Sequence, residues 1–153
     1  MTAPPPILVV EDNDEDFETL RLAFANAGVK HPLFRTCDGE EALGYLAQQG
    51  RFAPEGAAPR PGIILLDLNL AGMDGRRTLE RLKADARFKS IPVFILSTSD
   101  NPKDVNACYQ HGASGYLLKP VDLERFERMV ACFKGFWLEF VILPEQPREA
   151  VLP

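Results

Sequence analysis

Four short apolar runs, each followed directly by polar side chains, constrain the fold of this chain more than any other feature. The runs at 7–10, 63–66, 93–96 and 116–118 are followed by Glu11-Asp12, Asp67, Ser97-Thr98 and Lys119-Pro120 respectively. Uninterrupted apolar runs of this length are typical of strands that are buried on both faces of a parallel sheet. Open α/β sheets bind their ligands at the carboxyl ends of the strands. We therefore expect acids, a hydroxyl group and an ammonium group to meet at one edge of the sheet.

Patterns typical of helices separate these runs. Apolar residues recur with helical spacing between Phe17 and Ala27, and residues 32–37 are a plausible second strand. Asn101-Pro102 and Asp122 have the composition of helix starts. Five strand–helix units in succession predict an α/β doubly wound fold, in which helices cover both faces of one parallel sheet.

Length, composition and charge exclude several classes of protein. The 153 residues fit one domain, and 46% hydrophobic with 25% charged residues is usual for a globular protein. A net charge of −5 argues against nucleic acid or an anionic membrane as the main partner. No apolar stretch has the length of a membrane helix, and the N-terminus is not typical of a signal peptide. Three scattered cysteines indicate reduced thiols, so a cytoplasmic location is expected.

The acidic side chains suit a divalent cation. Glu11, Asp12 and Asp67 would repel one another if they lay close together, and a bound cation removes that repulsion. Mg²⁺ prefers oxygen ligands and keeps positions open for water or phosphate oxygens. The backbone carbonyl of Asn69 is placed to add a further ligand. The pattern therefore predicts a magnesium site.

The same edge could hold a phosphoryl group. Asp67 suits the part of acceptor, because aspartyl phosphates occur as covalent intermediates. Lys119 would supply a positive charge, and Ser97 a hydroxyl donor, for the phosphoryl oxygens. Each residue alone also fits a helix cap, a turn or a strand end, so the prediction rests on their joint placement. A phosphohydrolase that forms an aspartyl phosphate is the second possibility, although Asn69 stands where such an enzyme would want a second acid.

At these positions the chain resembles the receiver domain of bacterial two-component response regulators. The resemblance covers about residues 7–134. It rests on ILVVEDN at 7–13, DGEEAL at 38–43, ILLDLNL at 64–70, GMDG at 72–75 and GASGYLLKP at 112–120. It implies a flavodoxin-like (βα)5 fold with a five-stranded parallel sheet of order 2-1-3-4-5.

The resemblance implies a role for each acid. Asp67 would accept a phosphoryl group from a phosphohistidine of a sensor histidine kinase. Asp12, Asp67 and the carbonyl of Asn69 would bind Mg²⁺, with Glu11 beside the metal. The chain would then be a phosphorylation-controlled switch and not an enzyme acting on metabolites. A receiver-like scaffold that is never phosphorylated is the third possibility.

Further expectations follow from the same resemblance. Ser97 and Lys119 would bind the phosphoryl oxygens, and Tyr116 would rotate inward when Ser97 moves. Asn69 and Ser99 would flank the path of attacking water and so tune dephosphorylation. The Lys119–Pro120 peptide bond would be cis. Arg76-Arg77, in contrast, is expected to be a solvated helix face.

The end of the chain points to a partner surface. The loop at 48–61 and the segment 136–144 look like the single-domain regulators that partner cyanobacterial and bacterial phytochromes. Seven of the eight residues at 136–143 are apolar, more than one helix face can bury, which favours a symmetric homodimer. The alternative is that the segment folds back on its own domain. The expected dimer residues are Phe133, Phe136, Trp137, Phe140, Val141 and Leu143.

The expected organisation has four parts. They are an N-terminal tail at 1–6, a receiver domain at 7–134, an apolar extension of the last helix at 135–144, and a flexible tail at 145–153. The residues after the receiver are too few for a DNA-binding or enzymatic output domain. Output is therefore expected through contact with a downstream protein, or by passing the phosphoryl group to another phosphotransfer protein.

Overall fold

Five parallel strands and five α-helices alternate along the chain in the computed structural model, which describes residues 3–70 and 72–145. The strands are β1 Ile7–Val10, β2 Leu33–Thr36, β3 Ile63–Asp67, β4 Val93–Ser97 and β5 Gly115–Leu118. The helices are α1 Asp14–Asn26, α2 Gly39–Leu46, α3 Gly75–Ala84, α4 Pro102–Gln110 and α5 Leu123–Phe133. A short 3₁₀-helix, Gly50–Phe52, lies in the loop before β3, and a π-helical turn, Lys134–Leu138, continues α5.

The strands pair in the order β2-β1-β3-β4-β5, which confirms the predicted fold. The register aligns the carboxyl ends of the central strands. Val10 lies opposite Leu66, and Ser97 lies opposite Leu118. The polar residues that follow these strands therefore lie at the same edge of the sheet, side by side.

The core has two layers, one on each face of the sheet. Successive side chains of a strand point to opposite faces. Leu8 and Leu66 accordingly pack in the layer beneath α2 and α3, while Val9 and Leu65 pack in the layer beneath α1 and α5. All five positions of β3 are buried, as expected for the central strand of a doubly wound sheet.

Short polar side chains start each α-helix directly after the sheet edge. Asn13, Asp38, Asp74, Asn101 and Asp122 each accept a hydrogen bond from a backbone N–H in the first turn of the following helix. The helix starts predicted at Asn101 and Asp122 are confirmed.

The C-terminal extension packs partly on its own domain. The Trp137 ring lies edge-on to Phe94 with centroids 4.6 Å apart. Leu143 belongs to the partly buried side chains around the core layer beneath α1 and α5. Phe136 and Phe140 are 60% and 77% exposed. The extension thus has an inner side that covers the core and an outer side with solvent-exposed aromatic rings.

The expected N-terminal tail at 1–6 and the expected flexible tail at 145–153 are only partly described by the structure. Residues 1–2 of the N-terminal tail and 146–153 of the expected flexible tail lie outside the described residues. Within 3–70 and 72–145, no helix combines the length and the apolar character needed to cross a membrane.

The close packing of α3 against the end of β3 gives a test of the fold. A Cβ atom on Gly75 would overlap the carbonyl oxygen of Asp67 and lie 2.6 Å from Cα of Leu68. These neighbours are backbone atoms, which cannot move aside as the end of a flexible side chain can. We expect Gly75→Ala to lower the free energy of unfolding by about 1–3 kcal/mol in urea titrations, as overpacking does.

The matched control is Gly135→Ala, because a Cβ atom on Gly135 meets no atom within 4 Å. That variant should be at least as stable as the native chain, since alanine favours a helix over glycine. Equal stability of the two variants would contradict the packing described here.

Candidate functional site

Four strand ends deliver the polar side chains predicted from the sequence to one place. Glu11 follows β1, Asp67 ends β3, Ser97 ends β4 and Lys119 follows β5. Backbone hydrogen bonds continue the sheet past its formal end, since Glu11 N–H donates to the Thr36 carbonyl at 3.0 Å and Lys119 N–H to the Ser97 carbonyl at 2.7 Å. The side chains are therefore held by rigid elements and not by free loops.

The Lys119 ammonium group is the centre of the site. It donates to Oε1 of Glu11 at 2.9 Å, to Oδ2 of Asp67 at 2.9 Å and to Oδ2 of Asp16 at 3.2 Å. The Lys119 side chain is only 13% exposed, and Glu11 and Asp67 are buried. A single cation thus offsets two buried carboxylates and one exposed carboxylate.

The protonation of this cluster follows from burial and hydrogen bonding. Burial raises the pKa of Glu11 to about 8, and its hydrogen bond with Asp67 adds to the rise although Lys119 opposes it. Burial also acts to raise the pKa of Asp67. Hydrogen bonds from Glu11, from the Asn69 N–H and from Lys119 outweigh it and leave that pKa below its usual range. Asp67 is therefore the ionised member of the pair, which is the form of a nucleophile.

Burial and hydrogen bonding also have opposing effects on the pKa of Lys119, but for an ammonium group each acts in the direction opposite to its effect on Asp67. Burial acts to lower it, but hydrogen bonds to Asp67 and Glu11 outweigh burial and leave the pKa above its usual range. The ammonium group therefore stays charged at neutral pH.

The acids fit a divalent cation. Glu11, Asp12 and Asp67 each offer a carboxylate oxygen, and these atoms lie within 4.8 Å of one another. Oε2 of Glu11 is buried and accepts no hydrogen bond from any donor in the described ranges. Converging carboxylate oxygens are the ligand type that Mg²⁺ prefers. Asn69 lies beside them and donates its N–H to Oδ1 of Asp67 at 2.9 Å.

The residues predicted for the switch lie at the ends of β4 and β5. Ser97 is fully buried, and its Oγ accepts a hydrogen bond from the Ser99 N–H at 3.1 Å. The half-buried Tyr116 packs against the core, and its hydroxyl donates to the Ser99 carbonyl at 2.7 Å. Ser99 therefore links Ser97 to Tyr116 through these two hydrogen bonds.

Sequence reasoning missed two parts of this region. Asp16, which the sequence analysis did not single out, stands in the first turn of α1 and contacts Lys119. Arg77 is exposed as predicted, but Arg76 is not simply solvated, because its guanidinium group bonds Asp74 and Asp104. Arg76 and Asp104 are 28 positions apart, and no sequence pattern joins them.

One expectation from the resemblance is wrong. The Lys119–Pro120 peptide bond is trans, as are all peptide bonds in the described residues. The trans form is intrinsically favoured, and the Lys119 side chain reaches both buried acids with it.

The chain resembles known proteins over most of its length. The sequence profile of the response regulator receiver domain matches residues 7–131. The response regulator Rcp1 of Synechocystis sp. is 40% identical over 141 residues, which is 92% of this chain and 94% of Rcp1. A structure of the Mn²⁺-bound form of Rcp1 matches with a TM-score of 0.85 at 39% identity, covering 93% of this chain and all of Rcp1.

Two further solved structures match over most of the chain. The phosphorylated cyanobacterial phytochrome response regulator RcpA has a TM-score of 0.85 at 39% identity, covering 94% of this chain and all of RcpA. RPA3017, a response regulator in red light signalling of R. palustris, has a TM-score of 0.87 at 36% identity, covering 92% of this chain and 99% of its own.

The central role of Lys119 can be tested by stability. Lys119→Met removes the cation from the ionised Asp67 carboxylate and the hydrogen bond that Lys119 donates to Glu11, so we expect the free energy of unfolding at pH 7 to fall by about 1–3 kcal/mol. A lowered pKa of Asp67 stabilises the fold above the unfolded-state pKa, and that contribution is lost as pH falls through the folded-state value. The difference from the native chain should therefore shrink in acid.

Urea titrations between pH 3 and pH 8 measure this difference. Lys103→Met is the matched control, because Lys103 is exposed in the first turn of α4 and lies outside the cluster. If the Lys119 and Lys103 variants were equally stable at pH 7, the ammonium group would not hold the site together.

Proposed function

Because this chain belongs to the response regulator receiver domain family, we propose that it is a single-domain response regulator whose Asp67 accepts a phosphoryl group from a sensor histidine kinase. The family consists of phosphoacceptor switches and not of enzymes that act on metabolites. The observation that carries the proposal is the buried Asp67 carboxylate, which Lys119 contacts at 2.9 Å beside two further acids at the sheet edge.

Phosphoryl transfer needs mainly positioning and neutralisation of charge. An Asp67 oxygen attacks the phosphorus of the phosphohistidine, a bond from phosphorus to that oxygen forms, and the phosphorus–nitrogen bond breaks. The Asn69 N–H orients Asp67 by donating to Oδ1. Lys119 already contacts Oδ2, so it lies where it can donate to a phosphoryl oxygen on Asp67.

The donor set supports Mg²⁺ as the cofactor. Glu11, Asp12, Asp67 and the backbone carbonyl of Asn69 would hold it. A bound Mg²⁺ would neutralise charge on the phosphoryl oxygens. The relative Rcp1 has a Mn²⁺-bound form, which supports the binding of a divalent cation.

Phosphorylation would change the contacts of Ser97. Its Oγ accepts from Ser99 N–H, so its own hydrogen is available to a phosphoryl oxygen. When Ser97 turns toward the phosphoryl group, the Ser99 N–H loses this acceptor and the loop after β4 shifts. Tyr116, whose hydroxyl donates to Ser99, follows that loop and changes the surface formed by α4, β5 and α5.

A phytochrome is the kinase that the relatives support. RcpA is a phytochrome response regulator, and RPA3017 acts in red light signalling. The chain would act in the cytoplasm, where its three cysteines, which form no disulfide, stay reduced. Its output would be contact with a downstream protein or transfer of the phosphoryl group to another protein, with neither nucleic acid nor membrane as partner.

The extension at 135–144 would be the homodimer arm. Trp137 and Leu143 cover the core of their own chain, whereas Phe136 and Phe140 present exposed rings on the outer side. Burying those rings against a second copy removes apolar surface from water. The exposed rings carry this proposal, and the other proposed interface residues are Phe133, Trp137, Val141 and Leu143.

Intact mass spectrometry tests the phosphoacceptor. After incubation with acetyl phosphate and Mg²⁺, the native chain should gain the mass of one phosphoryl group, and Asp67→Asn should gain none. Asp85→Asn is the control, because Asp85 follows α3 and pairs only with Arg87 among the described residues. An unchanged gain in the Asp67 variant would refute the assignment, and repeated turnover of small phosphate esters would favour the phosphohydrolase.

Light scattering tests the arm. Phe140→Ser should raise the dimer dissociation constant by about tenfold or more, the effect of losing a buried aromatic anchor. Leu22→Ser is the control, because Leu22 is exposed on α1 outside the extension. If both variants kept the molar mass of the native chain at every concentration, the arm would not form the dimer.

A further inference from the structure

The Lys119 ammonium group has a third partner besides the two buried acids of the site. An ammonium group has three N–H donors and no acceptor. Those of Lys119 reach Glu11 at 2.9 Å, Asp67 at 2.9 Å and Asp16 at 3.2 Å. The three acceptors come from different elements, and Asp16 is the one that a helix supplies, since it stands in the first turn of α1.

Asp16 lies outside the group of acids that fits a divalent cation. Among the described residues, the carboxylate oxygens that converge belong to Glu11, Asp12 and Asp67, and not to Asp16. The Asp16 side chain is also 51% exposed, whereas Glu11 and Asp67 are buried. The Asp16 carboxylate therefore stays available to the ammonium group when the other acids hold a metal.

A metal at those acids would change the balance of charge around Lys119. The ammonium group is in contact with Glu11 and Asp67. A divalent cation held by the same two carboxylates would bring two further positive charges close to it, and like charges at short range repel. The ammonium group then needs a negative partner of its own if it is to stay at the sheet edge.

An acid at the start of a helix also has a simpler role. Asp14, Glu15 and Asp16 all stand in the first turn of α1, where negative charge stabilises a helix through its dipole. Asp16 is the one of these three acids whose carboxylate contacts Lys119 within the described residues. The helix dipole accounts for an acid in this turn, but it does not account for that contact.

We propose that Asp16 is a positioning residue for Lys119, whose ammonium group it retains at the sheet edge when the two buried acids hold a divalent cation. This inference rests on the proposed function, because the cation is the Mg²⁺ proposed above. Asp16 would act through Lys119 and would not itself bind the metal. Lys119, once retained, remains able to donate to a phosphoryl oxygen on Asp67.

Loss of the Asp16 charge should weaken binding of the cation. In Asp16→Asn the ammonium group has only a neutral partner outside the metal group, so the repulsion between the two cations is less well offset. We expect the dissociation constant of the metal to rise about two- to fivefold, the size of one partly exposed ion pair. Asp16→Glu restores the charge, so it should bind the metal more tightly than Asp16→Asn does.

Titration with Mn²⁺ measures this constant. Mn²⁺ takes the same carboxylate and carbonyl ligands as Mg²⁺, and the electron paramagnetic resonance signal of the free ion gives the fraction bound. Glu15→Gln is the matched control, since it removes the same charge from the same turn of α1 and leaves the contact between Asp16 and Lys119 in place. Its dissociation constant should lie closer to that of the native chain.

A second background separates positioning from general attraction. The charge of Asp16 attracts any nearby cation, and that attraction does not depend on Lys119. If Asp16 acts through the ammonium group, Asp16→Asn should raise the dissociation constant in a Lys119→Met background no more than Glu15→Gln does there. General attraction or helix stability alone would leave the effect of Asp16→Asn undiminished in that background.

The outcomes separate this inference from the proposed function. A native chain that binds no Mn²⁺ overturns the proposed cofactor, and this inference with it. A native chain that binds Mn²⁺ but gains no phosphoryl group from acetyl phosphate overturns the proposed phosphoacceptor alone.

Four results would overturn the inference alone. They are native affinity in Asp16→Asn, an equal loss of affinity in Glu15→Gln, an Asp16→Glu variant that binds no better than Asp16→Asn, and an undiminished effect in the Lys119→Met background. The first three use variants that keep Lys119, so they decide the matter even if Lys119→Met does not fold.

Discussion

The contact of the Lys119 ammonium group with Glu11 and Asp67 is the interaction on which the site depends. Two like charges about 4 Å apart near a protein surface repel by about 4 kcal/mol, so buried acids at one sheet edge need a cation or a shared proton. Here they have both. Lys119 contacts the two carboxylates at 2.9 Å, and the raised pKa of Glu11 lets it hold a proton that Asp67 does not. The result is one ionised carboxylate that is fixed in place, as the proposed phosphoryl transfer to Asp67 requires.

The sheet makes this arrangement possible because it aligns residues that are far apart in sequence. Glu11 and Lys119 are 108 positions apart, yet parallel pairing of β1, β3, β4 and β5 brings the ends of all four strands to one level. The apolar runs that bury the strands thus also determine where the polar residues after them lie. Folding and function are linked at these positions, since a shift in register would separate the acids from the ammonium group.

Much of this could be predicted from the sequence, because the informative patterns are local. Apolar runs located the strands, polar residues after them located Glu11, Asp67, Ser97 and Lys119, and Asn101 marked a helix start. Contacts between side chains of different elements left no such pattern. Arg76 meets Asp104 only because the first turns of α3 and α4 lie side by side, and Asp16 meets Lys119 only because α1 starts over the site. The trans bond before Pro120 likewise differs from what resemblance implied.

The central claim is that Asp67 is the residue that carries the phosphoryl group. Reduction of the phosphorylated native protein with borohydride converts an aspartyl phosphate to homoserine, and peptide sequencing by mass spectrometry then locates the converted residue. We predict homoserine at position 67 and an unmodified acid at positions 11 and 12. Conversion at another acid, with position 67 left as aspartate, would contradict it.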